Sequence, residues 1–179
     1  MTDDDIIIAK ILKREGGLTD RLDDPGGITN FGITLPALAD WRGHLGTPSD
    51  IRTLTEADAW EFYRWLLEQS GATKIQNPLL RSVFFDAAVN HGNKAAVKML
   101  QRALNVTPDG IFGPVTLAAL PYLDARRLAA RFMRERLMSY GRIISGNWTD
   151  ADHDGKPDAA ENGAGWINRV AEQLEELVA

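Results

Sequence analysis

The chain has 179 residues, 44% hydrophobic and 25% charged, with no cysteine and a formal net charge of −5. That length fits one domain or two small lobes, and ordinary apolar content with mixed charge excludes general disorder. The missing cysteines exclude a disulfide scaffold, a thiol nucleophile and Cys-ligated zinc, the acidic balance argues against a nucleic-acid partner, and no apolar run approaches the ~20 residues needed to cross a bilayer.

The opening Thr2-Asp3-Asp4-Asp5 is acidic where a secretion signal is basic, so no signal peptide is expected. The same acids suit the start of a helix, and Ile7, Ile8, Ile11 and Leu12 form one apolar stripe that ends at Gly16-Gly17. Turn signals at Asp23-Asp24-Pro25-Gly26-Gly27 and Asn30-Phe31-Gly32 predict a small hairpin or loop element within residues 18–34. Thr34-Leu35-Pro36 reads as the next helix start, and Thr55-Glu56-Ala57-Asp58 as a capping box for a helix reaching about Gln69. Asn77-Pro78 opens a helix that Gly92 closes, and residues 93–104 form another. After the turn-rich stretch 107–113, Pro114 starts a short helix. The longest runs from Asp124 to about Ser145, and a last one from Gly165 to Val178. No repeat or linker divides the chain, which reads as mainly α with a minor β element.

Glu15 stands where the macrodipole of the first helix favours a cation, at a cost of roughly 0.3–1 kcal/mol. A local rule broken in this way marks a candidate site, and the dipole pushes a carboxyl pKa upward, as a general acid near neutral pH requires. Asp24 and Thr29 follow on the glycine-rich segment. An acid and a carboxylate facing across a cleft are what glycoside hydrolysis uses, with a hydroxyl able to hold water. Asp20 and Asp23 compete for the second role, and turn formation alone also accounts for Asp23 and Asp24.

Glu15-Gly16-Gly17, Asp24-Pro25-Gly26-Gly27 and Thr29-Asn30-Phe31-Gly32-Ile33 together resemble the signature of glycoside hydrolase family 108, the N-acetylmuramidases or lysozymes that include many phage endolysins. The run Phe84-Phe85-Asp86-Ala87-Ala88-Val89-Asn90-His91-Gly92 is similar to a second family motif. Residues 96–116, with Asp109-Gly110 and Gly113-Pro114, resemble a peptidoglycan-binding region whose residues make turns and helix starts first.

The resemblance implies a lysozyme-like helical fold, with a muramidase region over 1–92 and a peptidoglycan-binding-like region over 93–179, packed as one body. It implies catalytic roles for Glu15, Asp24 and Thr29, and makes Phe31, Asn90 and His91 candidates for glycan contact, although Asp86 and Asn90 also suit a buried hydrogen-bond network. The implied partner is peptidoglycan, met by a monomer without membrane insertion. The enzyme would be made in the host cytoplasm and would reach the wall after membrane permeabilisation, leading to lysis. A non-catalytic wall-binding domain and a lytic transglycosylase using Glu15 alone are the alternatives.

A separate signal lies in the acidic loop 150–161. Asp150, Asp152, Asp154, Gly155, Asp158 and Glu161 occupy positions 1, 3, 5, 6, 9 and 12 of a calcium loop, with Lys156 placed to offer its carbonyl. Five carboxylates this close repel one another, and a structural calcium ion resolves the repulsion. Pro157 cannot donate the bond that pairs two such loops, and there is only one, so a structural clamp is expected rather than a calcium sensor. No organic cofactor is expected. Trp60 and Trp65, on one helix with Tyr63, read as core residues, and no sugar contact is assigned to any tryptophan.

Overall fold

The computed structural model describes residues 1–20, 27–122, 124–146 and 158–178. Among these residues are nine α-helices and one two-stranded antiparallel sheet, the mainly-α architecture with a small hairpin that the patterning predicts. They divide into two compact units, Met1–Thr73 and Lys74–Ala179.

The first unit begins with α1 (Asp3–Glu15), capped by Thr2 and Asp5 in a reciprocal capping box. Ile7, Ile8 and Ile11 are the buried stripe, and Gly16 ends the helix at φ 68°. The hairpin sits at the far end of its expected window: β1 (Thr29–Asn30) pairs with β2 (Ile33–Thr34), in register Thr29 with Thr34 and Asn30 with Ile33. Thr19 adds a bridge to Thr29 through backbone bonds of 2.8 and 2.9 Å. Thr34 caps α2 (Leu35–Arg42), and Thr55 with Asp58 caps α4 (Glu56–Gln69), as their sequences require.

A short helix not expected from the patterning, α3 (Pro48–Arg52), carries its own Thr47–Asp50 capping box. It anchors the hairpin, because the buried Asn30 amide donates to the carbonyls of Ile51 (3.1 Å) and Leu54 (3.3 Å). α1 packs on α4, where Phe62 and Tyr63 are buried and Trp41 meets Phe62 edge-on.

The second unit is built from α5 (Pro78–His91), α6 (Asn93–Leu104), α7 (Pro114–Ala119), α8 (Ala125–Gly146) and α9 (Asp158–Val178). α5, α6 and α8 pack mutually, and α9 lies along α8. Phe84 is the aromatic hub, 5.6 Å from Phe112 and 6.0 Å from Phe132. Gln101, buried on α6, clamps the following loop: its amide donates to Asp109 Oδ1 and Thr116 Oγ1, and its carbonyl accepts from Gly110 N–H. The Asp109-Gly110 and Thr116 positions are therefore fold-making.

The last helix starts at Asp158, not Gly165. Gly163 is buried within it, where an added Cβ would lie 2.8 Å from Ile144 Cδ1. That glycine is what lets α9 approach α8.

Candidate active site

Glu15 is the last residue of α1 and is half-buried. Its carboxyl lies against the hairpin turn. A Cβ built on Gly32 would fall 2.5 Å from Glu15 Oε2 and 2.9 Å from the Tyr63 hydroxyl, so all three meet at one point. The turn is tight for a stated reason: Phe31 and Gly32 are the two loop residues between β1 and β2, and both have positive φ, 52° and 74°. A phenylalanine in the left-handed region is costly, and such residues cluster where a site over-determines them. Here the constraint is explicit, because Tyr63, rooted in the core of α4, donates its hydroxyl to the Phe31 carbonyl at 2.8 Å. Tyr63 thus fixes the turn, and the turn, lacking a side chain at Gly32, leaves room for the acid.

Beside this point, Phe31 and Gly16 continue into a groove of about 360 Å³ that also involves Leu12, Lys13, Glu56 and Trp60. Trp60 is half-buried there, not a core residue as its helix position suggested; Tyr63 takes the core role. Sequence alone assigns Tyr63, Gly32 and Trp60 no role at the site: Gly32 reads as a turn and signature residue, and Trp60 as a core residue on the helix of Tyr63.

Of the other expected site residues, Thr29 is held by the ladder and is half-buried, and Asp20 is paired with Arg52 at 2.7 Å. That ion pair gives Asp20 a partner on α3 at the surface. Asp23 and Asp24 lie outside the described residues. So does the acidic loop through Pro157, and nothing is described of the side chains of Asp158 and Glu161. Among the described residues no group of three His, Asp or Glu could hold a metal ion.

Asn90 and His91 end α5 in the second unit. Asn90 donates to the Asp86 carbonyl at 2.6 Å and accepts from Arg169 at 2.5 Å, so its amide closes a hydrogen-bond network. Asp86 is 2% exposed and pairs with the fully buried Arg136 at 2.6 Å. Arg136 also donates to Gln173 and Tyr140. His91 packs 4.5 Å from the Tyr140 ring, which stacks on Trp166, and its Nε2 is buried without a hydrogen-bond partner in the protein. Burial, with the nearby Arg136 charge, pushes the His91 pKa down to about 4.

Residues 8–92, which span Glu15, the hairpin and α5, match the family described as Glycosyl hydrolase 108. This segment belongs to that family. A second match, to a predicted peptidoglycan domain, covers residues 95–171. The structure of Brucella abortus SagA is similar over nearly the whole length, with a TM-score of 0.81 and 28% identity, covering 98% of this chain and 93% of that one. None of the curated proteins matches. The chain is a glycoside hydrolase of peptidoglycan. The family 108 segment extends past the first compact unit, since α5 packs in the second.

Proposed function

We propose that this family 108 hydrolase is an N-acetylmuramidase, cleaving the β-1,4 bond between N-acetylmuramic acid and N-acetylglucosamine. The observation that supports it is the position of Glu15: a half-buried carboxyl ending a helix, against a turn whose backbone is tied by Tyr63. In this reading Glu15 transfers its proton to the glycosidic oxygen as the bond to the anomeric carbon breaks. Asp24 stabilises the oxocarbenium-like charge or takes a proton from the attacking water, and Thr29 helps to place that water. Phe31, Asn90 and His91 contact the glycan.

The test is Glu15→Gln, which keeps the shape and removes the acid. Purified peptidoglycan sacculi are digested and the released muropeptides weighed. A loss of about 10³-fold or more is expected, with reducing ends produced by the unsubstituted enzyme. Near-normal turnover by the variant would overturn the assignment. Anhydro ends would make the enzyme a lytic transglycosylase acting through Glu15 alone.

Three further elements belong to the same proposal. The enzyme acts as a monomer on the wall after a membrane lesion admits it, and so causes lysis. Its acidic loop holds one calcium ion through Asp150, Asp152, Asp154, Asp158, Glu161 and the Lys156 carbonyl, a hard oxygen donor set suited to that cation. Calcium bound only to the folded state raises the melting temperature, so a melt unaltered by chelator would refute the clamp.

A further inference from the structure

The charge of the chain is sharply segregated. Residues 74–146 contain eleven Lys and Arg and four Asp and Glu, a net charge of +7 within a protein of −5. Much of it stands on α8, where Leu128, Phe132, Arg136 and Tyr140 are buried on one side. Arg127, Arg131, Arg134 and Arg142 recur at helical spacing on the opposite, exposed side. This stripe does not stand alone. Between α8 and the end of α6 lies a groove of about 380 Å³ lined by Arg102, Ala103, Asn105, Arg131, Arg134 and Glu135.

The groove has a built wall. Asn105 adopts the left-handed conformation at φ 60° that ends α6, and Arg131 reaches the Ala103 carbonyl at 3.5 Å. Glu135, 9% exposed, is engaged by Arg134 at 2.6 Å. Three arginines and one glutamate thus line the groove, an excess of two positive charges in a concave, solvent-open setting.

Guanidinium groups recognise carboxylates through paired parallel hydrogen bonds. The polymer this enzyme cuts carries carboxylates along its peptide stems. We infer that the groove of Arg102, Arg131 and Arg134 is a docking site for stem-peptide carboxylates of peptidoglycan, holding the hydrolase to the wall through a surface distinct from Glu15. The inference rests on the peptidoglycan-hydrolase reading and adds to it the surface, within the predicted peptidoglycan domain, that grips the polymer.

The test separates gripping from cutting. The full chain carrying Glu15→Gln is co-sedimented with insoluble sacculi between 50 and 300 mM NaCl, with and without Arg102→Gln, Arg131→Gln and Arg134→Gln together. The arginines are exposed, so the fold should survive; the single variant Arg131→Glu supplies the same readout should the triple variant misfold. Expected are binding that weakens at least about tenfold over that salt range, and a variant at least about tenfold weaker at 50 mM with little salt dependence left. Sacculi whose carboxyl groups have been converted to amides should show the same loss. Unchanged binding by the variant, full binding to amidated sacculi, or capture by anionic phospholipid vesicles in place of sacculi would each overturn the inference. Failure of the hydrolase reading would appear separately, as no released sugar ends with Glu15 intact.

Discussion

Gly32→Ala tests the active-site geometry directly. The added methyl carbon would sit 2.5 Å from Glu15 Oε2, where a carbon–oxygen contact relaxes at about 3.3–3.6 Å, so the carboxyl must retreat by about 1 Å. A displacement of that size at a reacting group costs about 10²-fold in rate. Alanine at φ 74° adds strain of roughly 1–2 kcal/mol, offset by less than about 1 kcal/mol from the stiffer unfolded chain. The net, about 1 kcal/mol, lowers the melting temperature by about 2–4 °C. Gly43 is the control: it has the same φ of 74° and nothing within 4 Å of an added Cβ. Gly43→Ala should lose similar stability and keep its turnover. Kcat and KM on purified sacculi, with thermal melts of both variants, decide the matter. If Gly32→Ala retains full kcat, or if Gly43→Ala loses as much activity, the contact between the turn and Glu15 does not position the acid.

Asp86→Asn strips the charge from the partner of a fully buried Arg136, and should destabilise by about 3–5 kcal/mol, on the order of 10 °C in melting temperature; a loss below about 1 kcal/mol would show that the pair is not the buried ion pair described. The pH dependence of stability should carry the mark of His91, whose folded pKa is about 4 against an ordinary 6.5. The unfolded chain then binds a proton that the folded protein refuses, so stability is present above pH 6.5 and falls as pH drops from there towards about 4. Asp5, Asp50, Asp58 and Asp109, whose hydrogen bonds hold their carboxyls below 3.8, lose their share only in more acid solution. Melting temperature against pH should therefore flatten between pH 4 and 6.5 in His91→Gln, and an unaltered slope would reject the assignment.

Local chemistry made much of the fold legible. Thr2, Thr34, Thr55 and Asn77 each cap the helix that their neighbours predict, because a cap is satisfied within three residues of chain. Thr47-Pro48-Ser49-Asp50 carried the same signal for α3, but five residues give no apolar periodicity to support it. Sequence alone places the start of α9 at Gly165, seven residues late, because the acidic loop reads as running to Glu161, whereas the helix begins at Asp158 and Gly163 is a packing position against Ile144.

The site divides along the same line. Sequence alone singled out Glu15, since an acid at the wrong end of a helix dipole is a local anomaly, and its flanking glycines carried the family resemblance. It also offered Asp20 as a rival, and only the fold assigned that carboxylate to Arg52. Tertiary structure likewise brought Gly32 and the Tyr63 hydroxyl to the Glu15 carboxyl, buried Asp86 against Arg136, and gathered Arg102 with Arg131 and Arg134 around one groove. The physical reason is range: capping, turn conformation and dipole energies depend on residues a few positions apart, whereas a contact between distant side chains exists only once the packing of helices has chosen which faces meet.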